Sequence, residues 1–178
     1  PSTMYEDPLS RKHELQRKHG EFVFAWSDLD ELKGKTFFDI VEKIQNVVSV
    51  NFIAYTSSSA KPENPKCRVI LPYAFPIPGR DHVLIQKIFN DKLEAVGLPP
   101  DRATERAGQI CYLPNKQNDF YDSFEIDIFG PFDPMTTWAE EIQAEKNALA
   151  EEHKATKERD RLSKEKAAAR IVTGAKDV

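Results

Sequence analysis

The sequence predicts an α+β fold with the element order β-α-β-β-α-β, the split βαβ or ferredoxin-like arrangement, plus an extra edge strand and a long C-terminal helix. Three observations carry this expectation. Short apolar runs recur between clusters of Gly, Pro, Asn and Ser. Two intervening segments carry apolar residues at helical spacing. Residues 133–178 are dominated by Ala, Glu and Lys, with no sustained apolar heptad.

Residues 1–20 are polar and read as a short helix or a loose lead-in. "FVFAW" (22–26) is a buried strand that runs into "SDLDE". In residues 36–48, apolar side chains at 37, 40, 41, 44, 47 and 48 share one helix face, with Thr36 as N-cap and Asp39 three residues on. "NFIAYT" (51–56) and "CRVILPY" (67–73) form a hairpin around the tip "SSSAKPENP". A second helix spans 81–97, capped by Asp81 and stopped by Gly97. "QICYLP" (109–114) reads as the fourth strand, and the alternating "DSFEIDIFG" (122–130) as a fifth at the sheet edge. Asp133 then caps a helix with Pro134 at its first position. Right-handed crossovers place the first and third strands centrally. The expected organisation is a lead-in over 1–20, a compact domain over 21–132, and a charged helix over 133–178.

The 178 residues correspond to about one domain. A hydrophobic share of 40% supports a core, and a net charge of −4 argues against a uniformly basic nucleic-acid binder. The charge is uneven, because residues 51–116 hold nine Lys/Arg against six Asp/Glu. Cys67 and Cys111 sit among apolar residues and read as reduced core thiols. No apolar run is long enough to span a membrane and no signal peptide is visible, so a cytoplasmic location is expected. Starting at Pro1 and stopping after "IVTGAKDV", the chain reads as a piece of a larger polypeptide, although a processed start would look the same.

Three polar constellations stand out. Asp28 and Asp30 point the same way if the strand continues through them, and two close carboxylates need something positive between them. A divalent metal meets that need, and solvent at a loop mouth is the plainer alternative. In the hairpin, Ser57, Ser58, Ser59, Lys66 and Arg68 could hold a phosphate, although a solvated polar tip has the same composition. Arg68 is the more telling cation, because an apolar strand does not bury an arginine without a partner. Third, Asp101 lies in a loop, with Arg106 and Gln109 leading into the next expected strand. Were that strand beside the first, Asp101 would be a third carboxylate near Asp28 and Asp30. A turn aspartate after two prolines is the ordinary reading.

Together the segments "FAWSDLDE", "FIAYTSSSAKPENPKCRVILPY" and "GLPPDRATERAGQICYLPN" resemble the primase–polymerase domain of the archaeo-eukaryotic primase superfamily, in the form found in phage, plasmid and integrated-element replication proteins. The resemblance covers about half of the chain. It implies an RRM-like palm that performs two-metal nucleotidyl transfer on a single-stranded DNA template. It further implies that Asp28, Asp30 and Asp101 are catalytic and bind Mg²⁺ or Mn²⁺. Ser59, Lys66, Arg68, Arg106 and Gln109 would contact a nucleoside triphosphate, with Tyr73 or Tyr112 stacking on bases. A helicase, fused or separate, is the implied partner. The family's second motif, Ser-x-His, lacks its histidine here, so a cation of the hairpin would have to replace it.

Two other classes fit parts of the sequence. A rolling-circle initiator or relaxase needs a His-x-His pair, whereas His13, His19, His82 and His153 are scattered. A catalytically degenerate RRM-like module, binding DNA or docking a helicase, agrees with the missing histidine and the acidic total.

Overall fold

The computed structural model describes residues 12–114, 116 and 119–174, with side chains described up to residue 167. Part of the expected lead-in and the last residues of the charged helix therefore lie outside the described residues. The chain divides into a compact unit ending at Ile142 and a second unit, Gln143–Val178.

The first unit is α+β. Its elements are α1 (His13–His19), β1 (Glu21–Leu29), α2 (Phe37–Val47), β2 (Phe52–Thr56), β3 (Cys67–Pro78), α3 (Gly79–Ala95), β4 (Ser123–Ile126) and α4 (Pro134–Thr137). Helix α5 (Ala139–Gly174) begins in this unit and continues into the second.

The four strands form one sheet in the order β1-β3-β2-β4, with every neighbouring pair antiparallel. The hairpin of β2 and β3 is as expected. Two expectations are corrected. Among the described residues, 109–114 form no strand, and Ile110, Tyr112 and Leu113 are exposed there. The first strand is consequently an edge, while the last strand lies beside β2 at the opposite edge. The physical reason lies in α3. Gln86 gives its side-chain amide to both backbone groups of Trp26, accepting from Trp26 N at 3.2 Å and donating to Trp26 O. Beyond it, Asp101 N donates to Asp28 O at 2.8 Å. A side chain and a loop thus satisfy the outer edge of β1 that another strand would otherwise fill.

Alternation along the strands buries Ala25, Leu29, Ala54, Val69 and Leu71 on one face of the sheet, and Ile40, Val41 and Ile44 of α2 and Ile85, Phe89 and Leu93 of α3, a helix in contact with β1 and β3, are buried as well. Each such large side chain contributes about 1.5–3 kcal/mol on burial. Helix α2 begins as expected, with the Thr36–Asp39 capping box. Helix α3 begins two residues before the expected Asp81 cap. Pro78 is its N-cap and Asp81 lies in the first turn, where its charge complements the helix dipole. Gly97, at φ +75°, ends this segment as expected. Gly79 allows a close approach to α1, since a Cβ there would lie 2.3 Å from Gln16 O.

Asp133 caps α4 through Met135 N and Thr136 N, with Pro134 following. The expected single helix is broken at Trp138, which leaves helical geometry. Its ring is buried against Phe132, with centroids 4.5 Å apart. In the second unit α5 is highly charged, carrying near-neighbour pairs such as Glu158–Arg161 at 2.7 Å.

Candidate functional site

β1 continues through Asp28, and the ladder pairs Asp28 with Arg68 of β3. Both side chains lie on the sheet face away from Leu29 and Cys67, which are buried. Arg68 donates from Nε and Nη2 to Asp28 Oδ2 at 3.2 and 3.0 Å. One step further along, Lys66 Nζ lies 3.0 Å from Asp30 Oδ1. Asp28 of β1 and Asp30 just beyond its end therefore face Arg68 of β3 and Lys66 just before its start, and the positive charge required between the carboxylates comes from the hairpin itself.

The two pairs differ in burial. Asp28 and Arg68 side chains are 17% and 14% exposed, whereas Asp30 and Lys66 are 48% and 30% exposed. The outer pair is a surface ion pair worth at most about 1 kcal/mol. For Asp28, burial raises the carboxyl above its usual range. Arg68 opposes that shift, while the charges of Asp30 and Asp101 add to it. Asp28 Oδ1 is buried without a hydrogen-bond partner.

Asp101 reaches this neighbourhood through its backbone, which bonds Asp28 O. Its exposed carboxylate accepts from Ala103 N at 2.8 Å and opens the 3-10 turn Arg102–Glu105. A buried relay fixes this loop. Ser27 Oγ donates to Asn90 Oδ1 at 3.0 Å, and Asn90 Nδ2 donates to Thr104 Oγ1 at 3.0 Å.

Above Arg68 lies the segment expected to be a strand. The Tyr112 ring covers the guanidinium at 5.7 Å. Tyr55, which faces Arg68 across the ladder, donates its hydroxyl to Tyr112 O at 2.5 Å. Burial pushes the Tyr55 hydroxyl well up, so it stays a donor at neutral pH. Thr56, Ser57, Ser58, Arg68, Tyr112 and Leu113, with Pro114, line a cavity of about 400 Å³.

The structure thus brings together Asp28, Asp30, Lys66 and Arg68, with the Asp101 backbone against Asp28. Ser59 is exposed, its Oγ 3.5 Å from Ser57 Oγ. Arg106 lies elsewhere, lining a separate cavity with His13, Arg17 and Glu105. Gln109 is half-buried in the turn that follows, its amide bonded to Arg106 O at 2.9 Å. Tyr73, one of two expected stacking residues, is buried and shares a 3.0 Å hydrogen bond with His82. Cys67 is a buried thiol as expected, while Cys111 is half-buried outside the core, 3.9 Å from the Tyr55 hydroxyl.

Sequence reasoning missed Gln86, Asn90, Asn64 and Tyr55. Gln86 and Asn90 carried a readable signal, since two amides at i and i+4 interrupt an apolar helix face. Asn64 joins the hairpin tip to the end of β1, donating to Asp30 O at 3.1 Å and accepting from Leu32 N at 2.9 Å. No local pattern distinguished it from an ordinary turn asparagine.

Among the described residues, no group of three or more His, Cys, Asp and Glu side chains stands ready to hold a metal. A divalent ion fits in one respect, because the buried, unpartnered Asp28 Oδ1 is the kind of hard oxygen ligand that Mg²⁺ and Mn²⁺ accept. No family model, curated protein or solved structure matches the chain. No helix among the described residues is long and apolar enough to cross a membrane.

Proposed function

We propose that the chain is a nucleotidyltransferase domain of the primase–polymerase type, acting on a single-stranded DNA template in the replication of a phage or mobile element. The observation that carries this reading is the meeting of its three sequence segments. Asp28 stands next to the last residue of β1, the hairpin sets Arg68 against it, and the loop bearing Asp101 bonds its backbone.

In this reading Asp28 and Asp30 hold Mg²⁺ or Mn²⁺, with Asp101 as the third carboxylate. The bound ion would activate a 3′-hydroxyl and neutralise the triphosphate. Arg68, bonded only to Oδ2, keeps the Asp28 carboxylate oriented while Oδ1 remains open. Lys66 leaves its exposed partner at little cost and turns to the nucleoside triphosphate. Ser59 contributes a hydroxyl at the hairpin tip, and Tyr112 offers the stacking surface that the buried Tyr73 lacks. Arg106, which lines a separate cavity, serves the template backbone in a salt-sensitive way, and Gln109 keeps its proposed role as a nucleotide contact. A helicase partner and a cytoplasmic location belong to the same reading.

One observation favours a second reading, a degenerate RRM-like module that binds DNA or docks a helicase. Both carboxylates of the D-x-D already have protein cations as partners. Primer synthesis on single-stranded DNA with labelled nucleotides and Mg²⁺ or Mn²⁺ separates the two. Metal-dependent products that disappear in Asp28→Asn/Asp30→Asn support the enzyme. DNA binding without product in either protein supports the module.

A further inference from the structure

The guanidinium of Arg68 belongs to two neighbourhoods. Toward β1 it gives Nε and Nη2 to Asp28 Oδ2 at 3.2 and 3.0 Å. Toward the hairpin tip it lines the cavity of about 400 Å³ with Thr56, Ser57, Ser58 and Tyr112. That wall combines hydroxyls with a planar cation, the chemistry that receives a tetrahedral oxyanion. Arg68 is also held in place. Tyr112 covers its face, and Tyr55 holds the backbone of Tyr112.

The charge of Arg68 is therefore shared between fixed positions. Asp28 depends on it, since Oδ1 has no partner and the carboxylates of Asp30 and Asp101 add negative potential there. With the cavity empty, Arg68 neutralises Asp28 and repels a second cation that approaches Oδ1. An oxyanion against Arg68 cancels that repulsion and leaves Asp28 with surplus negative charge. The more exposed Lys66–Asp30 pair yields readily to such a change.

We infer that Arg68 couples two binding events, an oxyanion in the Ser58–Tyr112 cavity and a divalent cation on Asp28, so that each tightens the other. The inference rests on the nucleotidyl-transfer reading for its cation and adds an order of assembly, in which the metal is held firmly only when an oxyanion is present. Linkage makes the effect reciprocal.

Sulfate and Mn²⁺ are suitable probes, because sulfate is tetrahedral and chelates Mn²⁺ weakly. Free Mn²⁺ is measured by electron paramagnetic resonance with the whole chain, in sulfate and in chloride of equal ionic strength. Sulfate is expected to tighten Mn²⁺ binding at least about fivefold, within the usual range of coupling between sites. Mn²⁺ should tighten sulfate by the same factor, a comparison that needs no variant. Arg68→Gln should abolish both effects. Mn²⁺ affinity that is unchanged by sulfate, absent Mn²⁺ binding, or coupling that persists in Arg68→Gln overturns the inference. Primer synthesis assayed in parallel keeps the two proposals apart. Synthesis without coupling removes only the inference, and coupling without synthesis removes only the polymerase reading.

Discussion

Asp28 and Arg68 stand opposite each other in the β1–β3 ladder and form a mostly buried ion pair through a single carboxylate oxygen, leaving the other without a partner. Removing one member of such a pair strands the other's charge, typically at about 3–5 kcal/mol. Arg68→Met should therefore lose stability of that order at pH 7. Burial already raises the Asp28 carboxyl, and without Arg68 it rises further. A raised acid favours the folded state at low pH and loses that contribution as pH increases through its folded value. The deficit of Arg68→Met against wild type should shrink between pH 7 and pH 5 in urea denaturation. A constant deficit would contradict the assigned pairing.

His82 predicts pH dependence of the opposite sign. It is buried, stacked on Phe22 at 3.9 Å and bonded to Tyr73, and burial lowers its pKa from 6.5 to about 3. The unfolded chain binds a proton between those values that the native chain does not. Stability should therefore be complete above pH 6.5 and fall on acidification, by roughly 1.4 kcal/mol per pH unit from this group. His82→Gln retains a hydrogen-bonding group without the titration. Its stability should fall less steeply than wild type from pH 6 to pH 4.

Gln86 stands in for a strand. Gln86→Leu leaves the backbone N–H and C=O of Trp26 without their partner, at about 1–3 kcal/mol for each group. A lowered Tm together with faster hydrogen exchange at the Trp26 amide is the expected result. A lowered Tm with unchanged exchange would mean that the helix merely packs there.

Gly79→Ala tests the close approach of α3 to α1. The new Cβ would meet Gln16 O at 2.3 Å and Arg17 O at 2.9 Å, both backbone atoms. Overpacking of this kind costs about 1–3 kcal/mol. Proteolysis should then cut earliest around His13–His19 if α1 gives way, a pattern that a uniform loss of stability would not produce.

Local patterns were readable where the cause is local. The capping box at Thr36 and Asp39, the stop at Gly97 and the Asp133–Pro134 start depend on neighbouring residues only. Residues 109–114 misled for the same reason. Their short apolar run describes a strand, but the outer edge of β1 was already satisfied by Gln86 and Asp101, leaving Ile110 and Leu113 exposed and Tyr112 above Arg68. The break at Trp138 depends on its packing against Phe132, which no helical periodicity encodes.

By itself the sequence determined an α+β domain, a hairpin of β2 and β3, a long charged helix and the residue types of the candidate site. Those follow from periodicity, capping and the cost of burying charge, all of which act over a few residues. Only the tertiary structure decided the strand order, the register that sets Asp28 against Arg68, the ion pair of Asp30 with Lys66, and the burial that separates one pair from the other. Register and burial arise from contacts between segments distant in sequence. They determine whether two aspartates near the end of a strand face solvent, each other or a cation.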